Sequence, residues 1–557
     1  MIIILFYTII CFALIFAAGQ IFKVLIEKLT PFKIECLNSI AVCGFVGISL
    51  ITGYASLITP INSTFLLSFS LLVIPLYFYL SRHDKSLRIC VLIPKITTNR
   101  KETIFFTITF LFLSLIASKE IYTFDSGLYH TQSVKWIRSF PVVPGLANFQ
   151  PQFGFNSMFF PISALFTLEI SDFFKGTHLL VYPLNIILFL IISTKIFSTI
   201  VNKIKSKKTI DTIFYTLLVS LMFLLFPKHI SSLSSDISCA LLLIYLFNLV
   251  LEINLSKKPD IIYAVVLLSA IIITYKLSAI SMAVLCLGLI LLQENRISLL
   301  YRSAIIGVFA FAPFVLRNYY LSGYLIYPFE GIDIFSPDWK VPIESLSFET
   351  GVVRAWARSP GKLASLDMSI TQWIGPWWNH QDAINKILIS SNTFIIFVLI
   401  NSIYKRNSKT ILASLVVLAN FVFWFLTAPD VRFAYGFLFL GLALVFKELL
   451  TLINLNRLIN KLYFFIVALS ICSVLFFCRA ARNPNMRDLS SLVIPHTYPT
   501  PQVKEISIGF DYFKTINSSR CFNHDIPCNR RLTSKDYDIY LRSTDLSAGF
   551  RVSKIGN

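Results

Sequence analysis

Asp125 has the surroundings an acid needs to do chemistry. It stands just beyond an apolar run, in YTFDSGLYHTQSVKWI. There a carboxylate could act as general base and take the proton of an acceptor hydroxyl at a membrane surface. A carboxylate in the same place could instead cap a helix, accepting bonds from its first free N–H groups for about 1 kcal/mol. Tyr129 and His130 follow closely; His130 could share the site or face lipid headgroups. Asp236, in SSLSSDIS where another apolar run begins, has the same pair of readings.

Lys276, Arg317 and Arg432 supply the cations. Each falls near the outer end of an expected membrane span, where the bias of cations toward the cytoplasm gives no reason for it. A phosphate on a lipid-linked substrate would be held there, with arginine gripping two oxygens in a fork. Any one of them alone could be snorkelling to headgroups; the three together favour a held phosphate. Trp373, Trp377, Trp378 and His380 in TQWIGPWWNH offer rings for stacking on a sugar, or form an interfacial belt. No nucleotide loop, glycine-rich phosphate cradle or serine elbow is present.

Apolar helices must position these residues. The 557-residue chain is 56% hydrophobic and only 14% charged, against about 25% charged in soluble domains. Its net charge of +20 does not point to nucleic acid, because the cations cluster in short loops between apolar runs. Runs of spanning length lie at 1–18, 39–59, 64–81, 103–119, 178–200, 210–227, 236–252, 299–316, 388–404, 410–427, 433–447 and 462–478, and 261–292 suits a tight pair turning at Lys276. The first run lacks a basic leader and reads as a retained span. The fold expected is an all-α polytopic membrane protein of about 11–14 transmembrane helices. It divides into N-terminal helices (1–102), a catalytic membrane module (103–478) and a small extracytoplasmic C-terminal region (479–557).

Residues 121–160 interrupt the apolar pattern. Tyr129, Ser133, Trp136 and Ile137 share one helical face while Lys135 and Arg138 lie off it, as in a helix lying on headgroups. PVVPG stops that helix, and 156–170 reads as a second, membrane-grazing segment. In the tail, Cys521 and Cys528 in CFNHDIPC are near enough to close a small disulfide in an oxidising compartment. His524 between them does not make a zinc site, which wants four ligands at tighter spacing.

YTFDSGLYHTQSVKWI resembles the first outer loop of the membrane-embedded glycosyltransferases of the GT-C superfamily. PFVLRNYYLSGYLIYPF (313–329) is similar to their Pro…Arg-Asn-Tyr…Tyr-Pro-Phe segment, and APDVRFAYGFLF (428–439) to their late Asp/Pro-x-Arg segment. FDSGLYH with VVPGLANFQPQFGFNS is closer still to a group of bacterial membrane proteins placed near that superfamily. The resemblance implies a GT-C-like bundle and an inverting transferase of the inner membrane, with its site on the extracytoplasmic face. Its donor would be a sugar on a polyprenyl phosphate or diphosphate, and its acceptor a glycan, lipid or protein. Asp125 would be the base, and Lys276, Arg317 or Arg432 would neutralise the leaving phosphate. His130, Asp236, Tyr129 and Trp377 would contact substrate. Ser126 follows Asp125 where many relatives carry a second acid, so no metal or other cofactor is expected. Four expected spans precede the acidic loop where typical members have one. A polysaccharide polymerase or ligase, a flippase of lipid-linked sugars, and a membrane subunit with no site of its own are the other readings. Transporters favour internal repeats, and none is visible.

Overall fold

The computed structural model describes residues 1–29, 34, 36–83, 100–119, 123–170, 179–252, 260–359, 363–453, 468, 490–492, 495, 498–530 and 537–555. The protein is a mostly α-helical polytopic membrane protein. Among the described residues nine helices are long and apolar enough to cross a membrane, and three shorter apolar helices accompany them. The expected pair in 261–292 is realised as Ile261–Tyr275 and Leu277–Leu291, each shorter than an ordinary span. The span expected at 462–478 lies outside the described residues, apart from 468.

One core runs through the bundle. It joins residues of the first two helices, such as Ile15 and Phe45, to Phe189, Phe226 and Phe439 much later in the chain. The N-terminal helices are therefore packed into the body rather than appended to it. Lipid tails are as apolar as leucine, so close packing holds such helices together more than water exclusion does. Helices Ile2–Leu29 and Leu37–Ala55 show how closely they approach: a Cβ on Gly44 would lie 1.9 Å from the Ile15 carbonyl oxygen. Tyr275 then joins Ser49 by a hydroxyl–hydroxyl bond, tying the second helix to the middle of the bundle.

The two ends of the bundle differ. Helix Ser235–Glu252 carries Asp236 in its first turn and ends at Glu252. At the Glu252 end, Lys203 pairs with Asp211 and Glu252, and Lys447 with Asp211. The Asp236 end holds Lys276, Arg432 and Asp125. It also carries the interruption at 121–160 and the C-terminal region.

Two expectations about that interruption change. Trp136, 2% exposed, does not face outward; it packs on Phe140 and Phe550 in a second core that includes Phe149, Phe510 and Tyr512. Lys135 reaches Asp525, and Arg138 the Thr167 carbonyl, rather than lipid phosphates. The helix Thr131–Ser139 lies beneath the C-terminal region. Likewise the segment expected to graze the membrane is a buried helix, Phe159–Leu165, followed by a short antiparallel pair, Leu168–Ile170 with Leu179–Val181.

The C-terminal region is where the chain departs most from all-α. It forms a three-stranded sheet (Val503–Ser507, Asp511–Thr515, Cys528–Asn529) and a hairpin (Tyr537–Leu541 with Phe550–Lys554). FRVSK alternates apolar and polar residues over 550–553 with the strand period of two. Gly145 receives the hairpin: its φ is +66°, and a Cβ there would lie 2.0 Å from the Phe550 carbonyl oxygen. Cys521 and Cys528 are disulfide-bonded, as their spacing suggested.

Candidate functional site

A single π-helical turn, Ser126–His130, follows Asp125. Such wide turns recur at functional sites. The Ser126 carbonyl accepts from the Thr131 N–H and from its hydroxyl. Gly127 turns its own carbonyl to the Phe522 N–H, 2.9 Å away. The Asp125 side chain caps nothing. Its Oδ2 accepts instead from Arg432 Nη1 at 3.3 Å, and the carboxylate remains 29% exposed.

Arg432 sits in the short turn Val431–Ala434, whose N-terminus the Asp430 side chain caps. Its Nε and Nη2 fork onto Asp430 (3.1 and 2.8 Å to Oδ2), leaving Nη1 for Asp125. Trp377, 3% exposed, donates its indole N–H to the Pro429 carbonyl, and Trp424 donates to that of Asp430. Trp377 is thus a pillar behind the turn, buried against Trp373, Trp424 and Phe425. That place corrects both readings of it, since neither a sugar nor a headgroup can reach its face. A buried tryptophan usually finds a partner for its N–H, and here the partner is the site's own backbone.

Lys276 occupies the extended residue just after helix Ile261–Tyr275. Its Nζ lies 2.6 Å from Asp236 Oδ1 and 3.9 Å above the Phe433 ring. The Asp236 carboxylate is therefore a partner to Lys276, next to Arg432 in the chain's final arrangement. Ser278 donates to the Phe433 carbonyl, locking the two turns together.

His130 and Tyr129 form the inner wall. The His130 ring packs on Tyr129 (4.4 Å) and Phe160 (5.3 Å), away from lipid. Burial pushes its pKa down to about 4, against the pull of Asp125 and Asp236, so it is neutral. Burial, with help from Asp125 and Asp236, raises the Tyr129 phenol well above its usual range despite Arg432. Burial would raise Asp430 as well, but the charge and hydrogen bonds of Arg432 outweigh it and hold that carboxyl below its usual range. Among the described residues no group of His, Cys, Asp or Glu is arranged to hold a metal ion.

Arg317 is not brought to this cluster. It is buried in helix Arg296–Ser322, with Nη1 on Ser56 Oγ (2.8 Å) and Nε on Asn156 Oδ1 (3.2 Å).

Four contributors carried no signal strong enough to mark them. Asp430 lies inside the APDVRF segment, yet its role became visible only once Arg432 folded back on it. His229 is buried in the turn Pro227–His229, with neither ring nitrogen bonded; burial, Lys228 and Arg432 keep it neutral. Arg520, in the C-terminal region, lays its guanidinium over Phe124 and Phe522 beside Asp125. Glu349 comes from helix Ile343–Arg358 in the long loop. It accepts from Gln152 Nε2 at 2.9 Å, and its charge is felt at Tyr129.

Burial pushes Glu349 up to about 7 from an ordinary 4.5, opposed only by the Gln152 bond. A carboxyl whose pKa rises on folding stabilises the protein fully below its unfolded value, and that stability is lost as pH climbs through the folded value. The purified protein should therefore lose thermal stability progressively between pH 4.5 and about 7. Glu349→Gln, which cannot ionise, should flatten this decline in melting curves across the same range. An unchanged slope in the variant would assign the decline to another group.

A polytopic α-helical membrane protein with a charged, rigidly backed site at one end of its bundle is the class that this geometry defines. The chain belongs to the family described as a domain of unknown function, DUF8201, which matches residues 1–439. The matched residues include Asp125, Asp236, Lys276 and Arg432, and stop short of the disulfide-bonded region. No curated protein and no solved structure matches the chain.

Proposed function

We propose that the protein is an inverting glycosyltransferase of the GT-C type in the cell inner membrane. It moves a sugar from a polyprenyl phosphate or diphosphate to a hydroxyl of a glycan, lipid or protein on the extracytoplasmic face. The contact between Asp125 and Arg432 carries this reading. A base and the cation that would receive the leaving phosphate are neighbours, and at rest each holds the other. A carrier phosphate arriving at Arg432 Nη1 takes the place of the Asp125 carboxylate and frees it. The acceptor oxygen then attacks the anomeric carbon, the bond from that carbon to the phosphate oxygen breaks, and Asp125 takes the hydroxyl proton. Arg432, with Lys276 nearby, stabilises the charge that develops on the departing phosphate. Asp430 keeps the guanidinium aimed throughout.

Two features support the orientation. Lys203, Lys205, Lys207 and Lys208 gather at the far end of the bundle, as cytoplasmic loops do. The Cys521–Cys528 disulfide suits an oxidising compartment on the Asp125 side.

The reading is tested by deleting the gene and profiling lipid-linked sugars and surface glycans. Loss of a glycan component with accumulation of its carrier-linked precursor is the expected outcome, and the purified protein in lipid nanodiscs should then consume that precursor. Unaltered glycan and precursor pools would sink the proposal.

A further inference from the structure

Arg317 lines a cavity between helix Arg296–Ser322 and helix Thr131–Ser139. Ser133 and Asn156 are also polar; the remaining walls are mostly apolar, including Ile137, Leu146, Phe153, Phe160 and Leu321. Phe155 and Phe160 are shared with the Tyr129 side of the charged cluster, so the cavity backs onto that site through an aromatic wall. The cavity volume is about 20 Å³, space for one small species and far too little for a sugar.

Three hydrogen-bond donors around this space lack acceptors. Arg317 is 3% exposed and forms no ion pair with any described carboxylate, and only its Nε and Nη1 are engaged. Trp136 Nε1 and Ser133 Oγ, on side chains more than nine-tenths buried, have no partner. An unpaired buried charge costs several kcal/mol, and each orphaned buried donor about 1–3 kcal/mol. A water could accept from two of these groups but would then need acceptors for its own hydrogens, and Ser133 Oγ supplies one. An anion of halide size seated here would neutralise the guanidinium and offer an acceptor to the other two donors.

We propose that this cavity is a binding site for a small monovalent anion, chloride in the cell. The ion joins Arg317 to the helix that follows the Asp125 turn, so halide becomes part of what fixes that helix against the bundle. The inference stands apart from the transfer reading; it concerns a different set of residues and needs no substrate.

The full chain, purified in detergent, is unfolded thermally at constant ionic strength while sodium gluconate is replaced by chloride or bromide. Both halides should raise the melting temperature to a plateau, and gluconate, too large for the space, should not. Arg317→Gln should abolish the halide dependence. Trp136→Phe keeps the ring packing and removes one donor, so it should raise the half-saturating chloride concentration about tenfold, the loss expected of one charge-assisted bond. Identical melting in chloride and gluconate, or a halide response that both variants leave untouched, would overturn the proposal. If Arg317→Gln does not fold, Trp136→Phe alone decides between these outcomes.

Discussion

Asp125→Asn is expected to slow glycosyl transfer by about 10²–10⁴-fold, the usual weight of a general base, without loss of the protein from the membrane. The two effects separate because of what the side chain touches. Asp125 makes no cap bond to the turn behind it, so the substitution removes no helix stabilisation. Asparagine keeps the oxygen that accepts from Arg432 and loses only the capacity to take a proton. Initial rates with a carrier-linked donor, alongside melting curves of the same preparation, give both quantities. A variant that transfers at the wild-type rate would remove Asp125 from the chemistry. A variant that melts several degrees lower would assign it a structural role in place of a catalytic one.

Arg432→Gln should be costly in two currencies. Asp430 loses a forked partner and is left as a partly buried, uncompensated carboxylate. Removing one partner of a fully buried pair costs about 3–5 kcal/mol; with Asp430 27% exposed, about 1–3 kcal/mol is expected, discounted for solvent screening. Transfer should fall together with donor affinity, because the cation proposed to receive the phosphate is gone. Arg432→Lys restores the charge but not the planar fork, and should recover affinity only in part. The decisive comparison is the double variant Asp430→Asn, Arg432→Gln. If the orphaned carboxylate is the source of instability, the double variant melts above Arg432→Gln alone. Equal or lower melting would place the cost in lost packing around Trp377 and Trp424.

The membrane spans were legible in the sequence because a span needs only length and apolarity, and runs such as 39–59 or 410–427 provide both. The meeting of Asp125 with Arg432 was suggested only by resemblance, since no local pattern links residues 307 positions apart. The sequence marked Asp236 and Lys276 separately, an acid and a cation at span ends; that they pair is a fact of helix packing. Arg317 carried the same outward signature as Arg432, and its neighbours Ser56 and Asn156 place it elsewhere. Periodicity found the face of Trp136 correctly but could not say what covers it. A stripe of rings looks alike whether it meets headgroups or Phe550. The cover comes from a polar region whose short strands carry too few residues each to announce themselves.

The Cys521–Cys528 loop bears on the timing of synthesis. Gln132 Nε2 donates to the carbonyls of Phe522 and His524, and the Gly127 carbonyl accepts from the Phe522 N–H. The first of these bonds joins residues 390 positions apart. At about 5–20 residues per second, the ribosome reaches Phe522 roughly 20–80 s after it has made the turn at Gly127. Throughout that interval the segment behind Asp125 has neither its backing nor its disulfide-closed clasp. The chain thus passes through a stage in which the described helices up to Ile453 have been made and the acid's turn still lacks its Phe522 partner.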